Sequence, residues 1–359
     1  MWFLISAFAR VPRAKRWSVY HARMFIYAGI DEAGYGPMFG PLLVGRVVIA
    51  IPRLDPEPAG GPPNLWQRLK AAVCKSHQSS KGRIVVNDSK KVHTGAHGLR
   101  HLERGVLPFA ALAPTPCHPG HLSDWLDFLG ETAHHHLDHL PWYRVTDARP
   151  WEPLPHATTA GELAVAGNLL KTTCERIGVA VADIGAAVVF EDRFNQLVSM
   201  TRSKASTSFS FVARHLDHLW QTYGEHHPRV VVDRQSGRMR YREPLQECFP
   251  GAQLTVLEET PPVSAYHIAS PRGSQVQRSL TVSFEVEADG AHFPVALASM
   301  VSKYTRELLM ARFQSYFTAC APDIKPTAGY ALDAKRFWTQ IEPRLSAWGI
   351  DAALLRRSC

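Results

Sequence analysis

Residues 27–37 read YAGIDEAGYGP. A short apolar run ends in two adjacent carboxylates, Asp31 and Glu32, and two glycines flank a tyrosine directly after them. FIYAGI at 25–30 and PLLVGRVVIAI at 41–51 read as β-rich segments joined by this acid–glycine stretch. Successive strand side chains point to opposite faces. Two adjacent acids therefore serve one site only where the strand breaks, and Gly34, two residues on, permits such a break.

Two more β-rich runs end at a carboxylate: RVVVD at 229–233 stops at Asp233, and SLTVSFEVEAD at 279–289 stops at Asp289. Strand ends are places where a rigid sheet brings together side chains from distant parts of a chain. A set of Asp31, Glu32, Asp233 and Asp289, with no histidine or cysteine, favours a hard cation such as Mg2+ or Mn2+. Without a cation such acids raise one another's pKa. A pair of ions about 3.5–4 Å apart is a known device for phosphodiester hydrolysis. Taken singly, an aspartate after a strand is as readily a turn residue or a helix cap, and that alternative stands for Asp233 and for Asp289.

The rest of the chain reads as a mixed α/β or α+β domain with helices covering a sheet. A loop is expected at 55–64 from its proline and glycine, then a helix from Trp66 to Cys74. IVVNDSKK at 84–91 reads as a strand end or loop running into a helix. AGELAVAGNLLKTTCERIG reads as a helix, AAVVFE as a strand, and 194–223 as helical, with Val212, Leu216, Leu219 and Trp220 on one face. PVALASMVSKYTRELLMARF starts with proline at a first helical position and carries core spacing at Leu297, Val301, Tyr304 and Leu308. Residues 105–190 are expected to hold an insertion, because 105–160 is rich in proline, histidine and tryptophan and shows no sustained period. Residues 1–23 read as a basic N-terminal extension, either a tail or a mis-assigned translation start ahead of Met24, and residues 24–359 as the catalytic domain.

The 359 residues carry a formal charge of +8, which favours acidic partners and nucleic acid first. Six cysteines contain no C-x-x-C pair, which argues against a thiolate zinc site or a disulfide scaffold and suits a reducing cytoplasm. No apolar run approaches the length of a membrane span. ETAHHHLDHL at 131–140 has consecutive rather than spaced histidines and reads as a solvated polar segment in preference to a metal site.

GIDEAGYGPMFGPLLVG resembles the opening motif of type 2 ribonuclease H, the ribonuclease HII and HIII group. Further segments resemble that family in the same order. They are NDSKKV, VVVDRQSGR, ADGAHFPVALASMVSKYTRELLM, AGYALDAKRFW and the terminal LLRRS. The resemblance covers most of residues 25–95 and 190–359. It implies a ribonuclease H-like fold, a five-stranded mixed sheet flanked by helices, here with a central insertion. It implies catalytic, metal-binding acids at Asp31, Glu32, Asp233 and Asp289, and Mg2+ or Mn2+ as cofactor. The implied reaction is endonucleolytic hydrolysis of RNA in an RNA–DNA hybrid, or 5′ of a ribonucleotide embedded in duplex DNA. Its products carry 3′-hydroxyl and 5′-phosphate ends, and the expected enzyme is a cytoplasmic monomer.

Substrate contacts are expected from Gly34, Tyr35 and Gly36, whose small glycines let backbone groups approach the ribose 2′-OH. A tight turn is the competing reading of those glycines. Ser89, Lys90 and Lys91, and likewise Lys303 and Arg306, are placed to meet phosphate, or else cap and solvate helices. Tyr330 resembles the family tyrosine that packs on the sugar beside the cut. Three features depart from ribonuclease HII: Tyr35 replaces an arginine or lysine, Ala328 replaces a lysine, and FGPL at 39–42 is closer to ribonuclease HIII. With the long central stretch, these changes leave room for a repurposed or inactive nucleic-acid-binding protein.

Overall fold

The computed structural model describes residues 24–52, 62–234 and 237–358. The expectations for 1–23 and for most of the 55–64 loop lie outside these residues. Among the described residues nine strands form: β1 Met24–Ala33, β2 Leu42–Pro52, β3 Val73–Cys74, β4 Ile84–Val85, β5 Ala180–Val189, β6 Arg229–Asp233, β7 Gln253–Glu259, β8 Val263–Ala269 and β9 Ser279–Glu285. Apart from the small β3–β4 pair, they make one sheet in the order β5-β2-β1-β6-β9-β8-β7. β1 is antiparallel to β2 and parallel to β6, and β6 is parallel to β9.

The sheet has seven strands rather than five. β7 and β8 add an antiparallel hairpin to β9. In β8, Ser264, Tyr266 and Ile268 are buried in alternation. Ser264 and His267 in VSAYHIA weaken that alternation as a sequence signal.

The longest helices are α1 Gly98–Ala110, α2 Ala160–Ile177, α3 Glu191–Thr201, α4 Lys204–Tyr223, α5 Phe293–Cys320 and α6 Ala331–Ile341. The pattern at 194–223 resolves into α3 and α4, parted where Arg202 takes a left-handed conformation. The helix expected from Trp66 to Cys74 is only Leu65–Arg68, capped by Asn64, and β3 follows it.

α5 is 28 residues long and lies across the sheet. Close approach is possible because two strand positions lack a Cβ. One built on Gly29 would stand 2.1 Å from Val295 N, and one on Gly45 would stand 2.5 Å from Ser302 Oγ. Tyr27, Val47 and Ile49 pack on the α5 side with Leu297, Val301 and Leu308. Ile26, Ala28 and Val230 pack on the opposite face with Val212, Leu216 and Trp220 of α4.

The stretch 105–190 is divided by the structure. β5 pairs along β2 as the edge strand of the sheet, so the end of the stretch is framework. The middle is tied to α5 by two buried charged groups. Arg312 donates to the carbonyls of Tyr143 (2.8 Å), Arg144 (2.8 Å), Arg149 (2.9 Å) and Pro150 (2.8 Å). Glu103 accepts from the amides of His156, Ala157 and Thr158 and from the Tyr304 hydroxyl. Backbone groups without a sheet or helix ladder are satisfied in this way.

Candidate active site

β1 and β6 are paired in parallel register, with Ile30 opposite Val232, so Asp31 and Asp233 follow side by side at the ends of the pairing. β1 does not break at its acids. Its pairing with β2 runs on through Asp31, Glu32 and Ala33, opposite Gly45, Val44 and Leu43. It is β6 that stops, and its end leaves the margin of β1 beside Asp31 and Glu32 open. The strand-break expectation is corrected accordingly.

The fourth acid is also reached differently from the sequence reading. β9 ends at Glu285, and Asp289 lies in the short helix Ala288–Ala291, after Glu287 in a left-handed conformation. Asp233 Oδ1 accepts a hydrogen bond from Ala288 N (2.8 Å), which joins the third acid to the segment bearing the fourth. Lys75 Nζ donates to Gly290 O (2.8 Å) and holds that segment from the other side.

Electrostatics show that the acids share a field. Burial pushes the Asp31 carboxyl well above its usual range, and Glu32, Asp233 and Asp289 raise it further. Burial likewise raises Asp233, against the Ala288 amide and Lys90, which hold it down. Asp289 is pushed up to about 6, first by burial and then by Asp88 and Asp233.

Asp88, in the NDSKKV segment, is thus a fifth carboxylate at the site. It does cap: its Oδ1 accepts from Lys90 N (2.9 Å) at the start of helix Ser89–Val92. Among the described residues, no three of these acids bring an oxygen each within 4.8 Å of one another.

Ser299 on α5 braces the cluster. Its hydroxyl donates to Ser89 Oγ (3.0 Å) and borders the Asp31 carboxyl, offsetting part of the rise there. Ser89 is buried in this contact and does not face solvent. Lys90 is exposed beside Asp233 and Asp289. Lys303 pairs with Glu307 on its own helix (2.6 Å). Lys91 is exposed, with Asp88 at 3.8 Å.

Arg306 does not present its charge to phosphate. It is fully buried, donates to Phe39 O (3.0 Å), and lies 5.1 Å from the Tyr330 ring. Helical spacing alone cannot tell this inward face from an outward one. Tyr330 itself is 41% exposed.

The Gly-Tyr-Gly turn is held from below. Arg357, in the terminal LLRRS, donates to Gly34 O and to Tyr35 O (3.1 Å), and its own amide donates to Met38 O (2.9 Å). Glu191 accepts from Gly40 N (3.0 Å) and from the Tyr143 hydroxyl (3.0 Å), and burial pushes its carboxyl up to about 7. Gly329 O accepts from Met38 N (2.8 Å), bringing the Tyr330 loop against the turn. Gly34 is buried at φ +85°, where a Cβ would stand 2.6 Å from Arg306 Nε and Pro41 O. Gly36 is exposed, has no positive φ and has open space where a Cβ would go. Tyr35 is half-buried and packs on the α4 side of the sheet.

Comparison with known proteins finds no matching family model and no matching curated protein. Among solved structures, the chain is similar to RNase HII in the PCNA:RNase HII complex from Archaeoglobus fulgidus. The identity is 15%, the TM-score 0.40, and the match covers 92% of this chain and 94% of that one. It is similar to ribonuclease H2 from Pyrococcus horikoshii OT3 at 15% identity and TM-score 0.41, over 92% of each chain. It is also similar to Bst-RNase HIII in complex with Mn2+ at 11% identity and TM-score 0.38, over 93% of this chain and 66% of that one.

Proposed function

We propose that the chain is a divalent-metal-dependent endonuclease that cuts RNA in RNA–DNA hybrids, or 5′ of a ribonucleotide embedded in duplex DNA. The observation that carries this reading is the shared field of Asp31, Glu32, Asp233 and Asp289, drawn from the paired strands β1 and β6 and the short helix Ala288–Ala291. Carboxylates whose protons are held this tightly are stabilised by a cation, and an all-oxygen donor set suits Mg2+ or Mn2+. Bound there, such ions would supply the positive charge that activates water and stabilises the leaving oxygen. Asp31, Glu32, Asp233 and Asp289 would hold them, with Asp88 at the margin.

The remaining roles belong to the chain's own groups. The Ala288 amide orients the Asp233 carboxylate, and Ser299 lies beside Asp31. Lys90 and Lys303 offer positive charge to phosphates on either side of the cut. The backbone at Tyr35 and Gly36 approaches the minor groove and senses the 2′-OH, and the half-exposed Tyr330 packs on the sugar. Gly34, Ser89 and Arg306 support this surface from beneath instead of touching substrate.

The reading is tested with an end-labelled RNA–DNA hybrid incubated with Mg2+ or Mn2+. Cleavage that needs the ion, leaves 5′-phosphate ends and vanishes in Asp31→Asn is the expected result. Binding of the hybrid without cleavage by any ion would overturn it in favour of a nucleic-acid-binding protein.

A further inference from the structure

Away from the acid site, Asp127, His134 and His135 bring one donor atom each within 4.8 Å of one another. Asp127 lies on the helix Leu122–Phe128, and the histidines lie on the 3-10 turn Ala133–His136. Asp127 Oδ1 stands 3.5 Å from His134 Nε2 and 3.2 Å from His135 Nε2. In a tetrahedral site with bonds near 2.0–2.1 Å, neighbouring donor atoms are about 3.3–3.4 Å apart. Both measured edges match that length to within 0.2 Å or so.

An ordinary ion pair accounts for Asp127 and His135 at 3.2 Å, whereas buried His134 stands farther from the same carboxylate, at 3.5 Å. That side chain is 1% exposed, and neither ring nitrogen has a hydrogen-bond partner. Its ring meets Trp151 edge-on at 5.8 Å. It lines a cavity of about 240 Å³ together with His135, Asp138, Arg144 and Trp151. A buried ring whose nearest carboxylate stands 3.5 Å away is poorly satisfied, and a ligand to one of its nitrogens would relieve that cost.

We propose that Asp127 Oδ1, His134 Nε2 and His135 Nε2 bind a divalent transition ion of the zinc class, with a fourth position open to the cavity. Two imidazoles and one carboxylate favour such an ion over Mg2+, the reverse of the all-oxygen set at the acid site. Consecutive histidines on one helix face would not converge. Here a 3-10 turn presents both, and a second element supplies the acid. The ion would fasten the 133–136 turn to helix Leu122–Phe128. Tyr143, on the same cavity wall, continues through Glu191 to Gly40 N.

The test is Zn2+ titration of the full untagged chain in excess Mg2+, followed by calorimetry. Asp127→Asn and His135→Gln are compared with the parent and with Asp31→Asn. Asp127 and His135 are both half-exposed, so their variants should fold, as circular dichroism without Zn2+ would verify. One Zn2+ per chain is expected for the parent and for Asp31→Asn, and at least tenfold weaker binding in the other two. Co2+ in place of Zn2+ should give a tetrahedral absorption band that both variants lose. No Zn2+ binding by the parent, equal binding by His135→Gln and Asp127→Asn, or loss in Asp31→Asn instead would overturn the assignment.

Discussion

Asp233 Oδ1 accepts a 2.8 Å hydrogen bond from the backbone amide of Ala288. That contact reaches across the chain of three intervening strands, β7, β8 and β9, and fixes the third acid against the residue preceding the fourth. Asn at 233 can still accept this bond, whereas Ala cannot, so charge and geometry can be removed separately.

Asp233→Asn, Asp31→Asn and Asp289→Asn should each lower cleavage by on the order of 100-fold or more. Thermal midpoints measured without metal should hold or rise, because like charges are removed. A fall in midpoint that parallels the loss of cleavage would mean the acids serve packing and not chemistry.

Asp88→Asn isolates the fifth carboxylate. Asparagine is as good a helix cap as aspartate, so the Lys90 amide keeps its acceptor and only charge is lost. Cleavage should fall at least tenfold at limiting Mg2+ and recover in part as Mg2+ rises. Parent-like Mg2+ dependence would confine Asp88 to capping.

Two carboxyls contribute to the pH dependence with a definite sign. Asp289 is pushed up to about 6 and Glu191 to about 7, so these two groups hold more protons in the folded chain than in the unfolded chain between about pH 4 and 7. Their contribution to metal-free stability should therefore decline as pH rises through that window. Burial lowers His93, His101, His134 and His215, whose contribution runs the opposite way. Added Mg2+ should oppose the carboxyl decline at its upper end, since the ion binds the ionised acids. Urea midpoints at stepped pH would read this, and Asp289→Asn together with Glu191→Gln should make the slope of stability against pH more positive than the parent's. A slope left unchanged by the two substitutions would contradict it.

The acids at 31, 32 and 233 were legible because apolar β-runs stop near them, and register did the rest. Asp289 was legible as a residue but not in its setting, since VEAD continues the alternation of β9 past its true end at Glu285. Asp88 was hidden because a cap and a site acid look alike in one dimension. Arg306 and Arg357 were hidden for a different reason. Sequence shows that an arginine is present, but not that its guanidinium turns inward to satisfy carbonyls of the Gly34–Gly40 loop. The β7–β8 hairpin was missed because Ser264 and His267 interrupt the apolar pattern of β8.

Gly34 and Gly36 should separate fold from recognition. Gly34→Ala forces a Cβ into a left-handed residue against Arg306 and Pro41, and should cost more than about 1 kcal/mol of stability. Gly36→Ala has open space and should fold like the parent, yet lower cleavage at ribose by obstructing backbone approach. Chemical denaturation of both variants, beside their cleavage rates, decides the matter. Undiminished cleavage by Gly36→Ala would remove that residue from ribose sensing.

Arg357→Lys keeps the charge but loses the fork that reaches Gly34 and Tyr35. The KM for hybrid should rise several-fold with kcat less affected, because the turn loosens while the acids stay in place. Equal effects on both parameters, or none, would argue against a positioning role.

The most direct measurement uses a DNA duplex carrying one labelled ribonucleotide, beside the same duplex in all-DNA form, with Mg2+ and with Mn2+. The expected result is a single cut 5′ of the ribonucleotide, absent from the all-DNA duplex and from Asp31→Asn. Failure to cut either this duplex or a continuous hybrid with either ion, by a chain that binds them, would contradict the nuclease assignment. Equal cutting of the all-DNA duplex would contradict recognition of ribose.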